Sequence, residues 1–307
     1  MKQLKIRHLT RYEYSQPVQL IPHKLLIRPR GGHDVRIESA TLAISPSHSI
    51  KWHRDLYNNS VAIVAFREKA LSLSFTSEVI LAHFEEAPLD FWVDEKAVQF
   101  PFQFDPSERV ALIPYQTLCF PNDSTRLRHW LSQFWRPGQN IETYVLLDNI
   151  NKAIAKGFAY QMREEAGVQR PSETLFKGSG SCRDFATLFI ESVRYFGLAA
   201  RFVSGYLHCP ETVQGHGSTH AWSEVYLPGA GWKAFDSTSG LVVGHTHIAT
   251  AVSRHPEDVP PVDGSFINPG GVTSTMHVEV EVDEVLPESE TEPDPLAKKG
   301  DDSNPSA

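Results

Sequence analysis

The sequence predicts an α+β fold, in which a β-rich segment comes first, a helical block follows, and strands then return. Segments that alternate apolar and polar residues fill positions 1–110, and turn formers such as SPSHS and NNS separate them. Apolar residues recur at helical spacing from about residue 120 to about residue 197. Helices that precede an antiparallel sheet, rather than alternating with its strands, are typical of α+β proteins.

The first block is predicted as an all-β, sandwich-like domain over residues 1–115. LKIRHLTRYEY, RIESATLAI, SVAIVAF and LSLSFTSEVIL each alternate, and short alternating strands at this spacing indicate a sandwich or a barrel. We find no cluster of catalytic residue types in this block. Asn58, Asn59 and His53 are expected in turns and at the surface.

Three helices and a group of strands are predicted in the second block, over residues 116–285. PNDSTRLRHWLSQFW begins with cap-type residues, NIETYVLLDNINKAIAKGFAY ends near Gly157, and a third helix runs from about Ser181 to Tyr195. The strands ARFVSGYL, HAWSEVYL and WKAFDST come next, with PGAG as the turn between the last two. MHVEVEVDEV is predicted as one more strand.

Composition restricts the partners and the location. The net charge of −8, without a basic run to neutralise phosphates, argues against nucleic acid as a partner. We see no signal-peptide pattern and no apolar stretch long enough for a membrane span, and three cysteines are not a disulfide framework. We therefore expect a cytoplasmic protein with no membrane partner. Residues 286–307 are acidic and nearly free of apolar residues, which predicts a disordered tail.

A cysteine begins the third helix, in GSGSCRDFATLFIESVRYFGL. Ser181 suits the N-cap and Asp184 suits the reciprocal position of a capping box, so Cys182 falls in the first turn. Free backbone N–H groups favour an anion there, and helix N-termini lower the pKa of cysteine thiols. The same groups suit an oxyanion at an attacked carbonyl. Gly178 and Gly180 are expected to leave room for a substrate; a buried structural cysteine is the alternative.

A histidine and an aspartate follow on a predicted hairpin, and a nucleophilic thiol needs both a base and a group that orients the base. His220 opens one strand of GHGSTHAWSEVYLPGAGWKAFDSTSG, and Asp236 closes the next. With residue 227 opposite residue 232, Asp236 would lie opposite Ser223, about one strand step from His220. The sequence therefore predicts a cysteine hydrolase site made of Cys182, His220 and Asp236.

At these residues the sequence resembles the bacterial branch of the transglutaminase-like superfamily. The resemblance is carried by GSCRDFATLFIESVRYFGLAARFVSGYL, THAWSEVYLPGAGWKAFDSTSG and HIATAVSRHPEDVPPVDGSF. The first ten dozen residues, including PVQLIPHKLLIRPR, are similar to the N-terminal β region that often precedes such cores. Thr187 and Ser237 stand where family members often have His and Pro, and neither change touches the three candidate residues.

The resemblance implies a papain-like core, with the cysteine helix packed on an antiparallel sheet. It implies acyl transfer through a thioester, with Cys182 as nucleophile, His220 as base and then acid, and Asp236 as the orienting carboxylate. We expect a protease or amidase that hydrolyses a peptide or isopeptide amide in a peptide or protein substrate, without a cofactor or a metal. ATP-grasp and alpha-E proteins are implied as pathway partners. Tyr160 and Gln161 are candidates for the second oxyanion donor.

Three other functions stay open. A protein-glutamine transglutaminase would use the same triad but would also need a site that excludes water and admits an amine. A non-catalytic binding protein on this fold would have lost a triad residue, whereas the sequence keeps all three. A metalloprotein would use the C-terminal histidines, although their HTH spacing is a poor zinc signal. These histidines are His216, His220, His245, His247, His255 and His277.

Overall fold

The computed structural model describes residues 1–85, 87–163, 165–209, 217–267 and 270–285. The predicted tail, residues 286–307, lies outside the described residues. Among the described residues, no helix is both long and apolar enough to span a bilayer.

Eighteen strands are assigned within the described residues. They are β1 (Lys2–Leu20), β2 (His23–Leu25), β3 (Val35–Ser45), β4 (His48–Arg54), β5 (Ser60–Phe66), β6 (Lys69–His83), β7 (Gln99–Phe100), β8 (Ile141–Glu142), β9 (Ala159–Tyr160), β10 (Ser179–Gly180), β11 (Ala200–His208), β12 (Gly217–Leu227), β13 (Gly231–Asp236), β14 (Leu241–Val242), β15 (His247–Ser253), β16 (Val262–Asp263), β17 (Phe266–Ile267) and β18 (Ser274–Glu284).

The helices lie between β6 and β11, and two of them, at Glu95–Val98 and Pro106–Gln116, fall in the segment that was predicted to be all-β. They are α1 (Glu95–Val98), α2 (Pro106–Gln116), α3 (Ser124–Leu131), α4 (Thr143–Gly157), α5 (Pro171–Lys177) and α6 (Cys182–Tyr195), with 3-10 turns at Pro121–Asp123 and Pro256–Asp258. The three predicted helices correspond to α3, α4 and α6.

Two antiparallel sheets form the β-rich region. One has the order β17-β1-β6-β3, with β18 also pairing with β1, and the other has the order β16-β2-β5-β4. Buried and exposed residues alternate along much of β1, as expected for a strand with one face on a core. Val18, Leu25, Val64 and Phe75 belong to the core shared by these strands.

Within the described residues β18 is the last strand, it is present as predicted, and its partner is β1. It pairs antiparallel with β1, from Leu4 opposite Glu284 to Tyr14 opposite Ser274. The C-terminal strand is therefore an added member of the N-terminal sheet. The boundaries between domains stay a prediction.

The sheet that carries the predicted hairpin has the order β14-β13-β12-β11-β15, and all its pairs are antiparallel. α6 packs against this sheet, where Phe185 and Phe189 join Val225 and Phe235 in the largest apolar core. The predicted arrangement, a cysteine-bearing helix on an antiparallel sheet behind an all-β region, is confirmed.

Asn59 corrects an expectation from the sequence. It was assigned to the surface, but it is completely buried. Its Nδ2 donates to the carbonyl oxygen of Val252 at 2.8 Å, and its Oδ1 accepts from the Val252 N–H at 2.9 Å. The amide therefore joins the β-rich region to β15 by pairing with a backbone unit, which periodicity cannot reveal.

The predicted hairpin register is wrong by one residue. Leu227 pairs with Gly231 rather than with Trp232, and Ser223 pairs with Phe235. Residues directly opposite each other share a face of the sheet, so a shift of one residue exchanges the faces. Continuing the observed register, Asp236 faces Trp222 and hence lies on the same side of the sheet as His220. The shift brings the two candidate residues together.

Candidate active site

Cys182 is the first residue of α6, and a capping box fixes the turn that presents it. The Ser181 N–H donates to Asp184 Oδ2 at 2.8 Å. Asp184 is fully buried, and its Oδ1 accepts from Arg163 Nη1 at 2.8 Å and from the Gln169 N–H at 2.7 Å. Burial alone would raise the pKa of Asp184, but these hydrogen bonds lower it below its usual value. The ionised carboxylate therefore ties the preceding loop to the helix.

The glycines before the cysteine have local structural roles, and the room for substrate that was expected of them stays a prediction. Gly178 has a φ of 65° at the left-handed end of α5, a conformation that favours glycine. A Cβ at Gly180 would lie 2.8 Å from Asp184 Cβ. Gly180 thus permits the close approach of the loop to the capping carboxylate.

His220 lies on β12 beside a position that needs glycine. Its partner on β11 is Gly205, where a Cβ would lie 2.2 Å from the carbonyl oxygen of Ile248 and 2.6 Å from Trp222 Cη2. Trp222 therefore packs against the backbone and stacks on His220, with ring centroids 6.2 Å apart. Only 2% of Trp222 is exposed, so this ring supports the imidazole instead of lining an open cleft.

Asp236 ends β13 with its carboxylate held from several sides. Oδ1 accepts from the Thr238 N–H at 2.8 Å, and Oδ2 accepts from Ser239 Oγ at 2.9 Å. His220 Nε2 lies 3.2 Å from Oδ1. The same imidazole is hydrogen-bonded to the Cys182 side chain. Since Nε2 faces the carboxylate, Nδ1 is the nitrogen left for the thiol, so the three predicted residues meet at one place.

Each charge at this site shifts the pKa of its neighbours. Burial alone would lower the pKa of His220, but hydrogen bonds to Asp236 and Cys182 and their negative charges raise it well above its usual value. Burial alone would raise the pKa of Asp236, but hydrogen bonds from His220 and His247 lower it. The site therefore favours a charged imidazole on a charged carboxylate, which is the state that would stabilise a thiolate at Cys182.

Tyr160 is the aromatic residue next to the thiol. Its strand β9 pairs in parallel with β10, which places Tyr160 beside Gly180, and its hydroxyl is close enough to Cys182 for the two side chains to interact. Burial, followed by the charges of Cys182 and Asp236, raises the pKa of Tyr160, so the hydroxyl keeps its proton. Tyr160 thus offers an O–H donor near the carbon that Cys182 would attack.

His247, which the sequence analysis named only as a candidate metal ligand, is a further residue of the site. It begins β15, and its Nε2 lies 3.4 Å from Asp236 Oδ2. Its ring centroid lies 5.6 Å from that of His220. The signal available in the sequence was its place in HIATAV, one of the segments that carried the resemblance.

The same three side chains, His220, Asp236 and His247, are the place where the structure would allow a metal ion to bind. Ligand atoms of His220, Asp236 and His247 lie within 4.8 Å of one another, a donor set able to hold a divalent cation. Both imidazoles, however, turn Nε2 towards the carboxylate, whose oxygens already accept from Thr238 and Ser239. His247 Nε2 is hydrogen-bonded to Oδ2, whereas His220 Nε2 lies at ion-pair distance from Oδ1 without a hydrogen bond of good geometry, so one hydrogen bond and one ion pair account for the contacts of this cluster.

The other histidines of the metal hypothesis have separate places in the fold. His255 Nδ1 accepts from the Glu257 N–H at 3.3 Å in the second 3-10 turn, and His277 pairs with Arg11 in the first sheet. His216 lies outside the described residues.

Cys119 shows how a structural cysteine differs from Cys182. Its Sγ accepts from Arg194 Nη1 at 3.0 Å, and its N–H donates to the buried Glu191 carboxylate at 3.0 Å. Burial raises the pKa of the Cys119 thiol. Burial, followed by the negative charge of Asp236, raises the pKa of Cys209. Cys182 differs from Cys119 in that it contacts a histidine beside a carboxylate.

Two parts of the chain match known protein families. Residues 4–82 match the bacterial transglutaminase-like N-terminal region, and residues 138–237 match the transglutaminase-like superfamily. The chain is a bacterial transglutaminase-like protein. The matched core contains all three candidate residues, and the matched N-terminal region covers the strands from β1 to β6. The resemblance inferred from the sequence is confirmed.

Individual proteins are also similar to this chain. An uncharacterized protein of Mycobacterium tuberculosis is 26% identical over 296 residues, which cover 91% of each chain. One from Mycobacterium leprae is 32% identical over 114 residues, 35% of this chain and 39% of that protein. A crystal structure described as a "putative cysteine protease" from Cytophaga hutchinsonii matches with a TM-score of 0.71 at 19% identity, covering 93% of this chain and 91% of that one. That similarity shows a shared fold over nearly the whole length.

Proposed function

We propose that this protein is a cysteine-dependent acyl-transfer enzyme that hydrolyses a peptide or isopeptide amide through a thioester on Cys182. The observation that carries the proposal is the contact chain in which Cys182 is hydrogen-bonded to His220, and His220 Nε2 lies 3.2 Å from Asp236. A nucleophile, a base and an orienting carboxylate in this order are the minimum set for covalent acyl transfer.

In the first half of the reaction, the Cys182 thiolate attacks the amide carbonyl carbon and forms a C–S bond. The oxyanion that develops accepts hydrogen bonds from the Cys182 backbone N–H at the start of α6 and from the Tyr160 hydroxyl. His220 then gives its Nδ1 proton to the leaving nitrogen, the C–N bond breaks, and an amine or ammonia departs. The acyl group stays on sulfur as a thioester.

In the second half, water takes the place of the departed amine. His220, now neutral, accepts a proton from the water as its oxygen attacks the thioester carbonyl. The C–S bond breaks, the carboxylic acid leaves, and the thiolate faces a protonated His220 again. Asp236 remains ionised throughout, and Thr238 and Ser239 keep it in place.

An amine could resolve the thioester instead of water, which would make the protein a transglutaminase. Both reactions use the same three residues, so they differ only in which acceptor reaches the thioester. One assay separates them: quenched glutamine-containing and isopeptide substrates are incubated with and without a primary amine, and the products are identified by mass spectrometry.

Hydrolysis predicts a free acid as the main product even when the amine is abundant, whereas transamidation predicts the amine adduct. The proposal requires Cys182→Ala to lose either activity and Cys119→Ala to keep it. Turnover by a folded Cys182→Ala variant would show that the thiol assignment is incorrect. A cytoplasmic location remains part of the proposal.

A further inference from the structure

A second imidazole contacts the carboxylate of the proposed triad. His247 Nε2 lies 3.4 Å from Asp236 Oδ2, while His220 Nε2 lies 3.2 Å from Oδ1. We propose that His247 is a positioning residue for the acyl-transfer reaction: as a neutral imidazole it donates to Oδ2 of Asp236 and thereby keeps Oδ1 directed at His220. This inference rests on the proposed function, and it assigns a role to a residue that the minimum triad does not include.

The neighbours of His247 decide which of its nitrogens carries the proton. Its Nδ1 lies 3.0 Å from Thr246 Oγ1, a hydroxyl that can donate to it. Burial lowers the pKa of His247 and outweighs the opposing effect of Asp236, so the ring is neutral at neutral pH. A neutral imidazole has one donor and one acceptor. With Nδ1 accepting from Thr246, the proton sits on Nε2 and points to the carboxylate.

The ring of His247 is enclosed on several sides, so its donor has a fixed direction. Its side chain is only 8% exposed, and the Trp222 ring lies edge-on at 5.1 Å between centroids. The His247 N–H donates to the Gly244 carbonyl oxygen at 3.2 Å. A residue whose side chain and backbone are both fixed can orient a catalytic group, because small displacements at such sites reduce activity.

The two histidines on Asp236 have opposite charge preferences, which gives each a separate role. The pKa of His220 is raised and that of His247 is lowered. His220 can therefore carry the proton that the leaving group needs, while His247 supplies a hydrogen bond without a charge. If both were charged, Asp236 would be shared between two cations and would stabilise the imidazolium beside the thiol less well.

The test compares His247→Leu with His247→Gln. Leucine fills the space without a donor, whereas the glutamine amide ends where Nε2 lies and keeps an N–H. The readout is the rate at which iodoacetamide alkylates Cys182 at about pH 6, well below the ordinary thiol pKa of about 8.5. We expect His247→Leu to slow alkylation by about tenfold, as for the loss of one hydrogen bond to an ion, and His247→Gln to restore most of the rate. His245→Gln is the matched control and should behave as wild type.

A double-mutant cycle separates a role through Asp236 from a general loss of structure. In an Asp236→Asn background, His247→Leu should have almost no further effect on the alkylation rate, because the carboxylate that it positions is gone. An equal loss in both backgrounds, or no loss in the wild-type background, would overturn the inference. If His247→Leu does not fold, His247→Asn replaces it, since its shorter amide reaches only the Nδ1 position.

The wild-type protein alone tests the underlying function in the same experiment. If its Cys182 is alkylated no faster than its Cys119 at about pH 6, the proposed function fails whatever the His247 variants do. If its Cys182 is alkylated selectively and His247→Leu matches it, only the role of His247 is refuted.

Discussion

Replacing Asp236 with asparagine removes one charge from the site and keeps the shape of the side chain. Asparagine Oδ1 can still accept from the Thr238 N–H, which donates to Asp236 Oδ1 at 2.8 Å. What disappears is the negative charge 3.2 Å from His220 Nε2. We expect Asp236→Asn to slow iodoacetamide alkylation of Cys182 by about 10² to 10³-fold at neutral pH, on the energies worked out below.

The magnitude follows from the distance. Two unit charges 3.2 Å apart attract by about 5 kcal/mol at an effective dielectric constant of about 20. Each 1.4 kcal/mol corresponds to about tenfold in an equilibrium, so the loss of the charge alone could reduce the imidazolium–thiolate population by about 10³ to 10⁴-fold. The amide oxygen retains part of the hydrogen bond, which reduces the expected loss by about one order of magnitude.

The direction of the pKa shift of His220 predicts how the alkylation rate of Cys182 depends on pH. Asp236 helps to raise the pKa of the buried His220, so in wild type the imidazolium persists at neutral pH, and its charge would stabilise a thiolate beside it. In the variant, burial lowers the pKa of His220, and fast alkylation should appear only as the pH approaches about 8.5, the value of an ordinary thiol. The two rate profiles should converge above that pH.

The assay is the alkylation rate measured from acidic to alkaline pH and assigned to Cys182 by peptide mapping. Asp263→Asn, at a carboxylate that is 60% exposed, is the matched control and should follow wild type. If Asp236→Asn labels Cys182 at wild-type rates at about pH 6, the electrostatic reasoning is refuted.

Three further predictions concern stability, measured by urea denaturation. Gly205→Ala should unfold the protein or destabilise it by more than about 3 kcal/mol, because its Cβ would lie 2.2 Å from a carbonyl oxygen of β15. Gly157→Ala, with nothing within 4 Å of its Cβ, should be neutral, and equal stability of the two variants would contradict the packing argument. Asn59→Ala should lower the free energy of unfolding by about 2 to 4 kcal/mol, since it leaves a buried N–H and C=O of β15 unpaired. Asn58→Gly, at a φ of 61°, should lower it little. Similar losses in the two variants would argue against the hydrogen bonds between Asn59 and β15. The pKa of Asp184 is lowered in the folded state, so its contribution to the free energy of unfolding is present above about pH 4 and is lost as the pH falls through the folded pKa. Asp184→Asn should therefore destabilise the protein at neutral pH and flatten the acid side of the stability profile. An unchanged acid side would contradict an ionised Asp184 in the folded protein.

Local sequence signals were sufficient for the helix that presents the thiol. Ser181 and Asp184 stand three residues apart in front of an apolar periodic segment, and this spacing determines a capping box through contacts within four residues. The position of Cys182 in the first turn followed directly from it. The order of cysteine, histidine and aspartate then indicated the chemistry.

The contacts that complete the site were out of reach because they join distant strands. The pairing of His247 with Asp236 depends on β15 lying beside β11, an arrangement that no local pattern encodes. The hairpin register depended on the turn that closes at Gly231, and an error of one residue moved Asp236 to the wrong face. Asn59 was missed for the same reason, since its partner is a backbone unit in β15.

The central claim is that Cys182, activated by His220, forms a thioester. The most direct test is to incubate the protein with p-nitrophenyl acetate at about pH 6, where ordinary thiols with a pKa of about 8.5 are largely protonated, and to locate the acetyl group by intact mass and peptide mapping. We predict one acetyl group, on Cys182, that hydroxylamine removes, that is absent from Cys182→Ala, and that forms far more slowly in His220→Ala. Acetylation spread over Cys119 and surface lysines, or an unchanged rate at Cys182 in His220→Ala, would contradict the account.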